Sequence, residues 1–287
     1  MRVSVIIPHY EDIANLSVCL DGLLRQRGLV AEVEIIVADN NSPCGFGAVE
    51  AAVAGRARVI PAPIQGAGPA RNAGVAASTG DVIAFIDSDC RPDPAWLASG
   101  VAALKGADLV GGTVRVSVDD PLRPNPVEAF EQVFAFDNRS YVLKKGFSGT
   151  GNLFTRRTVF DAVGGFRTVV SEDADWSRRA TAAGYRLAFA AEAIVSHPAR
   201  RTWSELLRRW RRLTREMYAL ERERGRGGVW WALRALVVLA SPVPHAFKVL
   251  AHPDLPDLRA KLGAIGVLIA IRVQRTGDMI GLLAGRA

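Results

Sequence analysis

Apolar residues arrive in short unbroken runs through the first third of the chain: VSVII at 3–7, VEIIVA at 33–38, RVI at 58–60 and DVIAFI at 81–86. Between them the spacing turns helical, near 13–26, 46–54 and 67–77. Runs of Val and Ile without polar alternation belong to strands covered on both faces. The pattern therefore predicts a βαβαβαβ order and an open α/β fold with a mostly parallel sheet. Ligands of such sheets bind beyond the carboxyl ends of the strands. Three of those ends carry polar chemistry: Pro8-His9-Tyr10-Glu11, Asp39-Asn40-Asn41-Ser42 and Asp87-Ser88-Asp89.

The pattern changes beyond Arg200, where Trp203, Leu206, Leu207, Trp210, Leu213, Met217 and Leu220 recur at helical spacing with arginines crowding the other positions. A boundary at 198 is expected, with a catalytic domain over 1–198 and a helical region over 199–287. The net charge of +7 divides unevenly there, about −3 before and about +10 after. A Trp/Leu face opposed by arginines fits a helix lying in a membrane interface, or one packed on the catalytic domain. The following runs, VWWALRALVVLASPVPHAFKVL and LGAIGVLIAI, are interrupted by Arg234 and two prolines or end at Arg272. Neither offers the ~18–20 uninterrupted apolar residues of a transmembrane helix. Monotopic attachment to an anionic membrane surface is expected, with the tail tryptophans Trp203, Trp210, Trp230 and Trp231 as an interfacial belt. The continuous Trp/Leu stripe speaks against nucleic acid as the partner.

With 287 residues, 49% of them hydrophobic, the chain can fill a sizeable core. Cys19, Cys44 and Cys90 show no C-x-x-C spacing, and their odd number leaves at least one unpaired, so neither a disulfide framework nor a zinc ribbon is suggested. The apolar run near the N-terminus is too short for a signal-peptide core. The expected location is the cytoplasmic face of the cell membrane.

The D-x-D at 87–89 follows a buried strand, so its carboxylates leave the sheet in different directions. Hard oxygen ligands suit Mg²⁺ or Mn²⁺, and an ion held by one or two carboxylates completes its shell with water and phosphates. A metal-bound nucleoside diphosphate follows. Asp and Ser ahead of Pro92 and Pro94 are equally the chemistry of a capped turn. No P-loop motif is present, and Gly66-Ala67-Gly68-Pro69-Ala70-Arg71 has Arg where a dinucleotide fingerprint needs its third Gly. A haloacid dehalogenase-like phosphatase also places D-x-D after an apolar run, normally after its first strand, and stands as the alternative enzyme. A non-catalytic, membrane-bound nucleotide-binding module is the alternative outside enzymes.

Several motifs then occur in order: SVIIPHYED with LSVCLDGLL, EIIVADNNS, GPARNAGVAASTGDVIAFIDSDC, GTGNLFTRRTVFDAVGGF and EDADWSRRATAAG. Together they resemble glycosyltransferase family 2, the inverting nucleotide-sugar transferases of GT-A fold, over residues 3 to about 198. The resemblance implies that Asp39 bonds the base and that Pro8 and Tyr10, with Glu11 beside them, shape its slot. It implies Arg71 near base or diphosphate, Asp87 at the ribose and Asp89 on the metal. Asp173 would be the general base, its ionised form favoured by the helix N-terminus, and Glu172 would position the acceptor or a neighbouring group. Asp175 reads as an acidic first-turn residue and Arg179 as its segment's salt-bridge partner. Gly151 and Asn152 are implied near sugar or acceptor, and His197 near the metal, although a histidine after a strand is ordinarily structural.

The implied reaction is a single displacement, with inversion, from a nucleotide-diphosphate sugar to a hydroxyl of a lipid-linked or glycan acceptor in cell-envelope or exopolysaccharide assembly. A UDP-sugar is the favoured donor, with GDP- or dTDP-sugars as others. Arg209-Trp210 resembles the end of the Q-x-x-R-W element of processive synthases and would put Trp210 at the acceptor site. Leu206 stands in place of the glutamine, against a processive synthase.

Overall fold

The computed structural model describes residues 1–168 and 171–285. In chain order the elements are β1 (Arg2–His9), α1 (Ile13–Leu24), β2 (Glu32–Asp39), α2 (Phe46–Val53), β3 (Arg58–Pro61), α3 (Ala67–Ala76), β4 (Val82–Ile86), β5 (Arg91–Pro92), α4 (Trp96–Ala103), β6 (Leu109–Ser117) and α5 (Pro126–Phe134). They continue as α6 (Asn138–Lys145), β7 (Asn152–Arg156), α7 (Arg157–Val163), α8 (Glu172–Ala182), β8 (Leu187–Pro198), α9 (Trp203–Glu223), α10 (Gly228–Ala240), α11 (Pro242–Leu250) and α12 (Leu258–Leu283). The chain forms two compact units, Met1–Arg115 with Asp137–His197, and Val116–Phe136 with Pro198–Ala287. The C-terminal segment of the second unit begins at Pro198. That unit also takes Val116–Phe136, because the apolar face of α5 supplies Val127, Phe130 and Val133 to the helical core.

The first unit is an α/β layer structure around one sheet, ordered β3-β2-β1-β4-β7-β6-β8-β5. The pairs β3–β2, β2–β1 and β1–β4 are parallel, as the apolar runs required. Beyond β4 the sheet changes sense, with β7 antiparallel to both β4 and β6, and β5 antiparallel to β8. Alternate side chains of the strands feed two cores. Val3, Val5, Ile7 and Ile86 pack with Leu16 and Leu20 of α1, Val49 of α2 and Trp96 of α4. Ile6, Ile36, Ile83 and Phe85 pack with Ala70 and Val75 of α3, Phe160 of α7 and Trp176 of α8. The approach of α3 to β1 requires Gly74, where a Cβ would stand 2.4 Å from Ile6 Cγ2. This contact fixes the helix that carries Arg71.

The second unit is helical. Its core joins Phe130, Leu206, Val249, Ala264, Leu268 and Ile271. Glu131 is fully buried and holds two cations, Arg200 Nη1 at 2.8 Å and Arg209 Nη1 at 3.1 Å. The membrane-interface reading of α9 is corrected here. Leu206 lies in the core, Leu207 and Trp210 pack against it, and Met217 packs near Trp231, so the apolar stripe of α9 faces protein. The tryptophan belt is corrected for the same reason: Trp231 is buried, its indole donating to Met279 O at 3.1 Å, and only Trp203 of the four is exposed. Apolar surface is instead exposed on α10 and α11, at Val229, Leu233, Leu236, Val237, Val243 and Phe247, and on α12 at Leu262, Ile269, Val273 and Ile280. Gly228–Leu250 runs for 23 residues and, by length and composition, is long and apolar enough to cross a membrane. Ser241 keeps helical φ/ψ between α10 and α11, so the two add up to that length, while Arg234, Pro242 and Pro244 still interrupt the apolar run.

Candidate active site

The carboxyl ends of β1, β2 and β4 lie side by side, with His9 opposite Asp39 in register. Asp39 is buried, and its Oδ1 accepts the Ser42 hydroxyl at 2.5 Å. The same hydroxyl oxygen accepts Glu11 N–H at 3.0 Å, holding Glu11 at a positive φ of 69°. This leaves Tyr10 47% exposed at the rim, and Pro8 pairs with Ala38 within the sheet. Asn40 ties the loop ahead of α3, donating to Ala62 O and Ile64 O at 2.7 Å each and accepting Gly66 N–H at 2.7 Å. The sequence named Asn40 without assigning it a role. An amide in a polar D-N-N-S run gives no sign that every one of its bonds is spent inside the protein.

Arg71 projects from the buried face of α3 and makes two ion pairs, with Asp87 Oδ1 at 2.7 Å and Glu172 Oε1 at 3.0 Å. Burial works against its charge, but Asp87 and Glu172 outweigh that and raise its pKa above the ordinary arginine value. One guanidinium therefore joins the D-x-D turn to the first turn of α8. Gly151 completes this corner, since a Cβ there would lie 2.8 Å from Asp87 Oδ2. Its close approach is to the carboxylate.

Asp173 follows Glu172 on α8, beside Gly149, where a Cβ would lie 3.9 Å from Asp173 Oδ2. Ala174 N–H donates to Asp173 Oδ1 at 2.7 Å. Burial, with Glu172 next to it, nevertheless pushes the Asp173 carboxyl up to about 6. The expectation that the helix N-terminus dominates is thus corrected: removal from water costs the carboxylate more than one amide and the nearby Arg71 return. A carboxyl near 6 remains mostly ionised at neutral pH and binds a proton more strongly than an ordinary aspartate, which suits a general base.

Neighbouring residues do structural work. Asp175 pairs with Arg179 at 2.9 Å, and Arg179 also donates to Val163 O and Gly165 O at 2.7 Å each, pinning α8 to the end of α7. Asn152 is fully buried; its amide donates to Thr113 O and Ala193 O at 2.8 Å and accepts the Trp96 indole at 2.9 Å. Both its N–H bonds are spent on the scaffold, so any approach to a sugar or acceptor here is by the backbone of this segment. Asn138, which the sequence did not single out, donates to Gly112 O at 2.6 Å and accepts Gly149 N–H at 3.0 Å. It holds the glycine loop beside Asp173, and a polar residue in a helix of no clear period gave no signal for it.

Asp89 Oδ2 lies 3.1 Å from His197 Nε2 at the end of β8. Among the described residues no three metal-ligating side chains gather. A carboxylate with one imidazole fits an ion that brings phosphate oxygens and water with it, not a closed protein cage. Trp210 belongs to the second unit, with the guanidinium carbons of Arg272 and Arg275 at 5.2 and 4.8 Å from its ring centroid. Leu206, in the glutamine's place, is wholly buried.

A parallel nucleotide-binding half-sheet, D-x-D at the end of its fourth strand and an acidic pair on a facing helix define a nucleotide-sugar transferase of GT-A type. The chain belongs to glycosyltransferase family 2: the family profile, Glycosyl transferase family 2, matches residues 4–173. It is 35% identical over 257 residues to the glycosyltransferase AglE of Haloferax volcanii, covering 85% of this chain and 83% of that one. In fold it is similar to the mannosyltransferase PcManGT of Pyrobaculum calidifontis, solved with GDP-Man and Mn²⁺, at a TM-score of 0.61 and 19% identity over 99% of this chain and 86% of that one. It is similar also to residues 1–349 of S. aureus TarS solved with UDP, at a TM-score of 0.54 and 16% identity over 96% and 91%. The haloacid dehalogenase alternative is set aside, and the protein is a glycosyltransferase.

Proposed function

We propose that the protein transfers a sugar, with inversion, from a UDP- or GDP-linked donor to a hydroxyl of a lipid-linked or glycan acceptor, at the cytoplasmic face of a membrane during envelope polysaccharide assembly. The observation that carries this reading is the Arg71 bridge between Asp87 and Glu172, which brings the helix of Asp173 to the D-x-D turn.

In this reading Asp39 receives the base, between Pro8, Tyr10 and Glu11. Asp87 is oriented by Arg71 for the ribose, and Asp89 with His197 would hold Mn²⁺ or Mg²⁺. That ion, when bound, supplies charge neutralisation to the departing diphosphate. Asp173 removes the acceptor proton as the oxygen attacks the anomeric carbon, and Glu172, held by Arg71, keeps the acceptor in line. The exposed apolar residues of α10, α11 and α12 support attachment to a membrane surface, where such side chains leave water.

Calorimetric titration of UDP, GDP and dTDP, with and without Mn²⁺, tests the donor half. Metal-dependent binding of one nucleotide, lost in Asp89→Ala, is expected. Folded protein that binds none of them sinks the reading.

A further inference from the structure

The second unit buries two arginines that, among the described residues, form no ion pair. Arg272 and Arg275, one turn apart on α12, are each only 7% exposed, yet among the described residues neither has a carboxylate within ion-pair distance. Arg275 Nε donates to the Thr214 hydroxyl at 3.2 Å, and its Nη2 reaches the Met217 sulfur at 3.7 Å. Arg234 of α10 is partly buried and donates to that same sulfur. A thioether is a weak acceptor. The other partner of Arg272 and Arg275 is the ring of Trp210, and a cation–π contact returns less than the desolvation of a guanidinium costs.

Three acids of α9 and α12 are already engaged. Glu221 pairs with Arg226 at 2.9 Å and Arg224 at 3.6 Å, Asp278 with Arg211 at 3.7 Å, and Glu216 with Arg212 at 3.9 Å. Three buried donors, Arg272 Nε, Arg234 Nε and Trp210 Nε1, meet no acceptor among the described residues. Thr214, beside Arg275, also lines a cavity of about 290 Å³ between α9 and α12, whose wall carries Arg211 and Arg215 together with Asp278, the carboxylate that pairs with Arg211. Burial, together with Arg272 and Arg234, pulls the Arg275 pKa down to about 10, as expected of like charges gathered without a counter-ion.

We propose that Arg272, Arg275 and Arg234, with the Trp210 indole N–H, form an oxyanion site inside the helical unit that binds a phosphate or diphosphate group. Forked guanidiniums offer paired donors matched to phosphate oxygens, and a desolvated setting strengthens each bond. The group comes either from a phospholipid headgroup or from a soluble phosphate. This inference does not depend on the sugar-transfer reading.

The test uses the full chain in an Asp89→Ala background with chelator present, so that the D-x-D cannot contribute a metal-bound diphosphate site. Inorganic pyrophosphate is titrated by calorimetry, and phosphatidylcholine vesicles with and without phosphatidic acid are used in co-sedimentation. Saturable pyrophosphate binding weakened at least tenfold by Arg272→Met and by Arg275→Met supports the site and a soluble source. Preference for phosphatidic acid, abolished by the same changes with pyrophosphate inert, supports it and a lipid source. Both variants are expected to fold with a raised unfolding midpoint in anion-free buffer, since each removes an unpaired charge. Arg275→Lys, which keeps the charge but not the fork, guards against a folding defect and should bind with intermediate affinity. Binding of both probes unaltered by these substitutions, or no binding of either by the parent protein, overturns the proposal.

Discussion

Arg71 Nη1 stands 3.0 Å from Glu172 Oε1, across 101 residues of sequence. Through this contact the acidic turn of α8 is held beside the strand end that carries Asp87 and Asp89. An arginine that is 4% exposed and shared between two carboxylates is costly to remove, because its loss leaves both acids uncompensated.

Asp173→Asn is expected to lower transfer by about 10²–10⁴-fold while nucleotide affinity stays within about twofold, because an amide cannot accept the acceptor proton. Turnover of a nucleotide sugar measured beside calorimetric binding separates the two effects. Loss of nucleotide binding would show that Asp173 serves the donor instead.

The same substitution should stabilise the fold. The Asp173 carboxyl rises from 3.8 to about 6 on folding, so its contribution to stability is present below the lower value and is lost as pH rises through the upper one. At about pH 8 Asp173→Asn is expected to gain on the order of 2 kcal/mol, and near pH 4 the gain should vanish. Denaturant midpoints at the two pH values check the sign.

The pH dependence of kcat/KM should fall tenfold per unit below about 6, as Asp173 takes up a proton. Arg71 opposes the rise of the Asp173 pKa. Arg71→Met should therefore move the acid limb to higher pH as well as depress the plateau, and Arg71→Lys should restore part of the position. A plateau loss without movement of the limb would leave Arg71 a purely structural role.

Gly151→Ala places a methyl 2.8 Å from Asp87 Oδ2, so one of them must give way. A cost of about 1–3 kcal/mol in stability is expected from such overpacking. Because the displaced group is the carboxylate that pairs with Arg71, KM for the nucleotide sugar should rise several-fold even where the protein remains folded.

Leu233 and Phe247 are 59% and 70% exposed on α10 and α11. Leu233→Glu with Phe247→Glu should lower co-sedimentation with anionic vesicles at least tenfold, by adding charge to the face that would enter the interface. Nucleotide binding should be unchanged. Undiminished vesicle binding would move the attachment elsewhere.

The parallel half of the sheet was legible from the sequence because covered strands must be continuously apolar, and 33–38 and 81–86 admit hardly another reading. The antiparallel half was less legible: β7, β6 and β8 are mixed in polarity, and their partners lie far away in sequence. Motif order singled out Asp87, Asp89, Glu172 and Asp173, and the structure brings Asp87 and Glu172 together on Arg71. Their neighbours were not legible in the same way, for an asparagine that binds a sugar and one that binds Trp96 and two carbonyls, as Asn152 does, are the same letter. The stripe of α9 was seen correctly as amphipathic, but its covering layer was misassigned, because periodicity reveals that a face is buried and not what buries it.

By itself the sequence determined the order of strands and helices at the nucleotide-binding end, the acidic and glycine motifs and the concentration of positive charge in the tail, all of which follow from local spacing. The tertiary structure alone decided which charges meet. It set Arg71 between Asp87 and Glu172, it raised Asp173 by withdrawing it from water, and among the described residues it left Arg272 and Arg275 without a carboxylate partner. The physical reason is that desolvation and Coulomb energy depend on distances through space, and chain order does not carry those distances.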